Sequence, residues 1–275
     1  MLKKLKKFIP AFLFVFFAFG SFGEAQEAKM AYTMPRTSPL YSPPPIQFRD
    51  NRILTIVFRT TPETLKRIVP KPLVPNSLHL MFIYVSKLNI EISDANQYTY
   101  LEAGIGVPAT FSKTPGNYAV YLYLDKALPI VGGREVWGWP KKDASISFIE
   151  KDGKVSASLE RLGFPILSVN ASLLKKIDPI PSSPILPWYN LKIIPSVEKD
   201  APPEVFQLTS TGNTDSKIKE FYSCEAELEF KSSPFDNLEE IEILEITEVR
   251  FQVSDFVMDF GKIIYDYLAE KKNKE

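Results

Sequence analysis

The sequence contains one cysteine and one histidine, and this scarcity argues against several kinds of chemistry. Cys224 cannot form a disulfide within the chain, so the fold must rest on packing alone. Its alternating neighbours place it on the inward face of a strand. A Ser-His-Asp triad or a histidine-ligated zinc site needs histidine, and His79 alone, in the strand-like run 78–80, is a poor basis for either. We therefore expect no metal site.

The spacing of the glycines does not match that of a phosphate-binding loop. Gly104 and Gly106 form a bare Gly-x-Gly with no following glycine or helix, and Gly132-Gly133 leads into Arg-Glu. Charge of one sign is also lacking, because 33 basic side chains balance 33 acidic ones. This balance gives no electrostatic reason to expect binding to nucleic acid.

A long apolar run occurs at the N-terminus, over residues 8–19, behind a lysine-rich end and ahead of small residues at 23–25. This pattern predicts an export signal over residues 1–25 and an exported protein, periplasmic or secreted. The run is short for a membrane-spanning helix, which needs about 20 residues. Membrane contact is therefore expected only if the signal segment is not cleaved.

Residues 26–45 are rich in proline, which favours an extended arm, and one folded domain is expected over residues 46–275. One helix is predicted from Pro62, capped by Thr61, to about Val69, and a second from about Phe256 to Lys271.

Many strands and few helices predict an antiparallel sheet closed into a barrel or sandwich. The predicted strands, rich in β-branched and aromatic residues, are Ile53–Arg59, Leu78–Ile92, Tyr98–Val107, Tyr118–Asp125, Ala144–Glu150 and Lys154–Arg161.

The segment 133–142, Gly-Arg-Glu-Val-Trp-Gly-Trp-Pro-Lys-Lys, is unusual. Its tryptophans and proline set Lys141 and Lys142 against aromatic surface, where burial disfavours the ammonium form of a lysine. A second amine nearby adds repulsion between positive charges. Because a lysine is a nucleophile only when neutral, the segment favours covalent chemistry through an imine. A lysine pair alone is weak support, since five such pairs occur in the chain.

The same segment resembles the signature of the acetoacetate decarboxylase family, in which Gly-Arg-Glu leads within a few residues to an aromatic residue, Pro, Lys and Lys. The likeness covers nearly everything after residue 40. Further matching motifs are Asn51-Arg52, Phe58-Arg59-Thr60, Ile68-Val69-Pro70-Lys71-Pro72-Leu73, Tyr100-Leu101-Glu102, Tyr123-Leu124-Asp125, Tyr189-Asn190-Leu191-Lys192-Ile193-Ile194-Pro195 and Ile264-Tyr265-Asp266-Tyr267-Leu268.

The resemblance implies a mainly β (α+β) fold, a curved antiparallel β-barrel of the acetoacetate decarboxylase type with a few short helices, and assembly into homo-oligomers. It also implies the catalytic residues. Lys141 matches the Schiff-base lysine, Lys142 matches the neighbouring amine, and Arg52 and Glu102 match two polar residues of the family's site.

The substrate pocket is expected to include Trp139, Tyr123 and Met81. The family often has a second glutamate in the strand over residues 78–84, where this chain has Met81 or Phe82. This departure puts the substrate, or the handling of protons, in doubt.

The expected reaction is the decarboxylation of acetoacetate or a related β-keto acid through an imine on Lys141, with no metal or organic cofactor. Glu102 would transfer or orient a proton, and Arg52 would bind the carboxylate or control entry. Two alternatives stay open. One is an imine-forming aldolase, dehydratase or hydratase acting on an oxo acid, and the other is a non-catalytic barrel that binds a small ligand.

Overall fold

The computed structural model describes residues 32–93, 96–182 and 184–272. The export signal predicted over residues 1–25 lies outside them. The chain divides into two units, Met1–Pro39 and Leu40–Glu275, and all strands and helices named below belong to the second. Residues 32–45 contain no helix or strand, and the first strand begins at Ile46. Within the described residues, no helix has both the length and the apolar character needed to cross a membrane.

The second unit is built on one sheet of 14 strands. The strands are β1 (Ile46–Arg59), β2 (Val74–Pro75), β3 (Leu80–Ser93), β4 (Asn96–Phe111), β5 (Thr114–Leu124), β6 (Lys141–Asp143), β7 (Ser145–Lys151), β8 (Lys154–Arg161), β9 (Phe164–Lys176), β10 (Trp188–Ile194), β11 (Val205–Thr211), β12 (Asn213–Phe230), β13 (Glu245–Met258) and β14 (Lys262–Asp266). All six predicted strands are present: Lys154–Arg161 has the predicted bounds, and each of the other five differs at one end or both. His79 lies just before β3 with φ 56°, so it belongs to a turn and not to a strand.

The sheet is mostly antiparallel, with two parallel pairings, and it is open, so the predicted closure into an antiparallel barrel is not confirmed. Its order is β14-β11-β10-β5-β4-β3-β1-β13-β12-β9-β8-β7, with β2 on β4 and β6 on β5. Both β10 and β6 run parallel to β5. A parallel neighbour needs a crossover connection, and the helical segment between β5 and β6 supplies one. Among the described residues, no backbone pairing joins β7 to β14, and β7 instead packs against β3 and β4.

The helices are short: α1 (Pro62–Ile68), α2 (Ala127–Gly132), a π-helical turn (Gly133–Trp137), a 3-10 turn (Leu238–Glu240) and α3 (Tyr267–Lys272). The structure confirms the start predicted for α1. Thr61 is its N-cap, and the Thr61 hydroxyl accepts a hydrogen bond from the Thr64 backbone N–H at 3.2 Å.

The second predicted helix is wrong over most of its length. β13 continues to Met258, β14 follows, and α3 is helical only from Tyr267. Phe256 stacks on Phe48 of β1, with ring centroids 4.6 Å apart, so its apolar surface is partly buried by strand pairing. Strand pairing therefore outweighed the apolar spacing typical of a helix.

Side chains alternate along each strand, so the sheet has two faces, which we name for the two lysines of β6. The Lys142 face buries the larger cluster, which contains Met81, Ile83, Tyr123 and Phe251. Cys224 is buried in it, as predicted, and burial raises the pKa of this thiol to about 11. The Lys141 face buries a smaller cluster, which includes Phe48, Leu88, Tyr100, Leu122, Trp137 and Trp139.

Candidate active site

The strand β6 directs the two adjacent lysines to opposite faces of the sheet. Lys141 pairs with Leu122 of β5, and Lys142 pairs with Tyr123. Paired residues on neighbouring strands point to the same face, whereas consecutive residues point to opposite faces. Lys141 therefore belongs with Leu122 in the smaller cluster, and Lys142 belongs with Tyr123 in the larger one.

The amine of Lys141 is buried beside a carboxylate. Its side chain is 5% exposed, and its Nζ lies 3.0 Å from Oε2 of Glu102, whose side chain is 7% exposed. The other oxygen of Glu102, Oε1, accepts a hydrogen bond from the Tyr84 hydroxyl at 2.6 Å. Nζ also lies 5.8 Å from the centre of the Tyr100 ring. The site thus combines one amine, one carboxylate and two phenols.

The contact between Lys141 and Glu102 is close but is not a directed hydrogen bond. Oε2 of Glu102 is buried and accepts no well-oriented hydrogen bond from the described residues, although Nζ lies 3.0 Å away. One lone pair of the carboxylate is therefore open toward the amine. This arrangement suits proton exchange between the two groups or with a molecule bound beside them.

Tyr84 and Tyr100 act as neutral groups in this site. Burial raises the pKa of both phenols well above 10, and the negative charge of Glu102 raises it further. Tyr84 therefore remains a hydrogen-bond donor and holds Glu102 in place.

The Gly-Arg-Glu part of the motif packs directly against Lys141. A Cβ at Gly133 would lie 2.6 Å from Cδ of Lys141 and 2.8 Å from its Cε, so any larger residue would force the lysine side chain to move from this position. Arg134 donates a hydrogen bond from Nη1 to the Lys141 carbonyl at 3.0 Å, and Glu135 accepts one from the Tyr41 hydroxyl at 2.5 Å. The π-helical turn thus fixes the position of Lys141.

Lys142 belongs to a separate network on the other face. Its Nζ lies 2.5 Å from Oδ1 of Asp236, a side chain with no exposed surface. Oδ1 also accepts from the Tyr123 hydroxyl at 2.9 Å, and Oδ2 accepts from Nη1 of Arg161 at 2.9 Å. Desolvation alone would raise the pKa of Asp236, but these hydrogen bonds outweigh it and hold the pKa below its usual value. The geometry does not support the expectation that Lys142 crowds Lys141, because its charge is paired elsewhere.

Comparison with known proteins identifies the family. The model of the acetoacetate decarboxylase (ADC) family matches residues 30–268. The chain belongs to the acetoacetate decarboxylase family. The acetoacetate decarboxylase of Burkholderia lata is 33% identical over 252 residues, which cover 87% of this chain and 96% of the relative.

Solved structures of this family have the same fold. The crystal structure of acetoacetate decarboxylase from Legionella pneumophila superposes with a TM-score of 0.77 at 26% identity, covering 86% of this chain and 95% of that one. The enduracididine biosynthesis enzyme MppR, complexed with the condensation product of pyruvate and imidazole 4-carboxaldehyde, has a TM-score of 0.75 at 18% identity. That match covers 86% of this chain and 97% of MppR, and it shows the fold alone.

Arg52, matched to the acetoacetate decarboxylase site by its motif, does not lie with Lys141. It pairs with Lys87 of β3, which pairs with Leu101, the residue before Glu102. Arg52 is therefore on the Lys142 face. Its Nη1 forms an ion pair with Glu150 at 2.7 Å, and its side chain is 42% exposed.

The predicted pocket residues divide between the two faces in the same way. Trp139 is buried in the cluster of the Lys141 face. Met81 and Tyr123 are buried in the larger cluster on the opposite face, so they do not line the space beside the amine. Of the two residues considered for the place of the second glutamate of acetoacetate decarboxylases, only Phe82 shares a face with Tyr84, and it packs on the Trp188 ring at 5.6 Å.

Sequence reasoning missed Tyr84 and Asp236, which contact Glu102 and Lys142. Strand alternation could have placed Tyr84 on the face of its site, but no sequence pattern points to Asp236, which follows β12 outside any motif.

Neither of two surface clefts of about 410 Å³ and 310 Å³ is lined by Lys141 or Glu102. No group of three or more histidine, cysteine, aspartate or glutamate residues in the described part of the chain could hold a metal ion.

Proposed function

We propose that this chain is a Schiff-base decarboxylase acting on acetoacetate or a related β-keto acid. The observation that carries the proposal is the buried amine of Lys141, 3.0 Å from the carboxylate of Glu102. A carboxylate this close can accept a proton from the amine, and a neutral amine can attack a ketone. Membership in the family supports a decarboxylase-like enzyme with a small keto acid as its substrate.

In the proposed reaction, Glu102 takes a proton from Lys141, and the free amine attacks the ketone carbon. The carbonyl oxygen leaves as water, and a protonated imine forms. The bond to the carboxylate carbon then breaks, carbon dioxide leaves, and the electron pair moves into the imine to give an enamine. Protonation of the enamine carbon and hydrolysis release the ketone and free Lys141. Water is thus released once and consumed once, without a metal or an organic cofactor.

The neighbouring residues support this chemistry without forming covalent bonds to the substrate. Tyr84 fixes the orientation of Glu102 through its 2.6 Å hydrogen bond, and Trp139 forms part of the wall. Lys142 forms an ion pair with Asp236 on the opposite face of the sheet and so holds β6 in position. It is therefore a positioning residue. Arg52 has no part in the proposal, since it lies on the opposite face.

A second candidate keeps the imine but changes the reaction to an aldol condensation, dehydration or hydration of an oxo acid. Phe82 favours this candidate, because it places an apolar ring on the Lys141 face in the strand where acetoacetate decarboxylases often have a second glutamate. MppR, which shares the fold, is complexed with a condensation product of pyruvate. The non-catalytic alternative expects both amines to be exposed, but the side chain of Lys141 is 5% exposed.

The test is reduction by borohydride in the presence of acetoacetate, followed by mass mapping of the modified lysine. We expect label at Lys141 and release of carbon dioxide without borohydride, and Lys141→Arg should abolish both. Lys142→Arg is the matched control and should keep the label, because its amine faces Asp236.

Two outcomes would contradict the proposal. Label at Lys141 with pyruvate, without decarboxylation of any β-keto acid, would favour the aldolase type of reaction. A label that persists in the Lys141→Arg variant would remove the assignment of the nucleophile.

A further inference from the structure

Three buried side chains on the Lys141 face carry polar atoms that form no hydrogen bond with the described residues. Asn190 of β10 has no exposed surface, and neither its amide nitrogen nor its amide oxygen forms a hydrogen bond with the described residues. Nε1 of Trp139 and Oε2 of Glu102 are also buried without a hydrogen bond, although Oε2 has the charged amine of Lys141 3.0 Å away. About nine in ten buried polar groups in proteins have a partner. A group of exceptions in one layer of the structure therefore indicates a place where a ligand supplies the partners.

The sheet register brings Asn190 close to the level of Lys141. Both β10 and β6 run parallel to β5, where Trp188 pairs with Asn117 and Lys141 pairs with Leu122. Asn190 lies two residues beyond Trp188, between these two levels. At about 3.3 Å per residue, Asn190 is within about 10 Å of Lys141 along the strand direction.

Asn190 also points to the same side of the sheet as the amine. It shares a face with Trp188, whose ring packs edge-on to Trp139 at 5.3 Å and to Tyr84 at 6.2 Å. Thr209, paired with Asn190, donates a hydrogen bond to the carbonyl of Trp137 at 2.6 Å. The turn that leads into Trp139 and Lys141 therefore lies directly against Asn190.

We propose that Asn190 determines specificity, and that its amide and the indole N–H of Trp139 form a polar subsite for a hydroxyl group of the substrate. The proposal rests on the proposed function, because Lys141 holds the ketone from which this hydroxyl extends. An amide offers donors and an acceptor, and an indole offers one donor, so a hydroxyl group can bond to both. The methyl end of acetoacetate can bond to neither. The substrate class is thus a hydroxylated β-keto acid.

Two β-keto acids of equal size test this subsite, 5-hydroxy-3-oxopentanoate and 3-oxohexanoate. The wild-type protein should form the imine at Lys141, trapped by borohydride, about tenfold more efficiently with the hydroxylated acid. A polar site rejects an analogue that leaves its buried groups unpaired. Asn190→Leu, which keeps the volume and removes the amide, should abolish the preference and leave labelling by 3-oxohexanoate at least as efficient.

Thr60→Val is the matched control, because the Thr60 hydroxyl is also buried and unbonded but lies just before α1. It should leave the preference unchanged. If Asn190→Leu does not fold, Asn190→Met serves as a second variant of similar volume.

The outcomes separate the two proposals. Label at Lys141 with no preference in the wild-type protein, or a preference that survives loss of the amide in a folded variant, overturns the subsite alone. No label at Lys141 with either acid overturns the proposed function and the subsite together.

Discussion

Lys141 and Lys142 are neighbours on β6, yet one side chain is 5% exposed beside Glu102 and the other is 32% exposed against Asp236. Their acidic partners differ as well. Oε2 of Glu102 has no directed hydrogen bond from the described residues, whereas both oxygens of Asp236 accept hydrogen bonds. We call the Lys141–Glu102 contact the open pair, because one carboxylate oxygen still lacks a directed hydrogen bond. We call the contacts of Asp236 the filled network, because both of its oxygens accept hydrogen bonds.

The difference separates reactivity from anchoring. In the filled network around Asp236, a bound ketone would find the amine of Lys142 already engaged by a buried carboxylate. A buried pair that loses one partner is strongly destabilised, so such a network resists rearrangement. In the open pair on the Lys141 face, Oε2 of Glu102 accepts no directed hydrogen bond from the described residues, so this carboxylate can exchange protons with the amine or with a bound molecule. A strand of three residues can therefore carry a reactive lysine and its anchor side by side.

The largest effect is expected from Glu102→Gln, which removes the proton carrier but keeps an acceptor for the Tyr84 hydroxyl. Release of carbon dioxide from the best β-keto acid should fall by about 10²-fold or more, the usual contribution of a general acid or base. Stability should fall as well, because one partner of a buried pair is lost, so thermal unfolding is measured to confirm that the variant is folded at the assay temperature. Glu150→Gln, on the opposite face, is the control and should keep turnover. If Glu102→Gln kept a third or more of the wild-type rate, Glu102 would not be the proton carrier. The Lys141 face would then not differ from the Lys142 face in reactivity through its carboxylate.

The sequence predicted the parts of the fold that depend on local signals. Thr61 and Pro62 started α1 where expected, and alternating residues located the strands. Residues 256–271 were mistaken for a helix because their apolar spacing also fits pairing of β13 with β1 and of β14 with β11. The parallel pairing of β6 with β5 depends on the crossover between them, which no local pattern reveals.

The candidate site was likewise predicted where local motifs carry its residues and missed where only long-range contacts reveal them. A compact motif carried Lys141, and a second motif carried Glu102, and the structure places their side chains together. Arg52 came from an equally good motif, but strand register decides which face a residue occupies, and one position of difference reverses it. Asp236 could not be found, because its contact with Lys142 joins segments 94 residues apart.

The anchoring network should be tested through stability. Asp236→Asn leaves Lys142 and Arg161 without their buried countercharge and should lower the free energy of unfolding by about 3 kcal/mol at pH 7. Asp143→Asn, an exposed carboxylate on β6 near the same arginine, is the matched control and should cost less than about 1 kcal/mol. Chemical denaturation monitored by tryptophan fluorescence measures both.

The pH dependence has a defined sign. The folded-state pKa of Asp236 is lowered, so its stabilisation is complete above the unfolded value of about 3.9 and is lost as the pH falls through the folded value. The difference between wild type and Asp236→Asn should therefore be constant near neutrality and shrink below about pH 4. A difference that grows on acidification would contradict the assignment of a charged, filled network.

The smallest effect is expected from Arg52→Met, because this arginine and Glu150 form a partly exposed pair, 42% and 30% accessible. Such pairs contribute at most about 1 kcal/mol and weaken with added salt, so the loss should be near that limit in dilute buffer and smaller at high ionic strength. Turnover should stay within about twofold of wild type, since the register puts Arg52 on the face away from Glu102. A fall in kcat/KM of tenfold or more, with stability unchanged, would show that Arg52 acts on the substrate, as the family motif implies. The catalytic site would then extend through both faces of the sheet, and the separation between the reactive and the anchoring lysine would not hold.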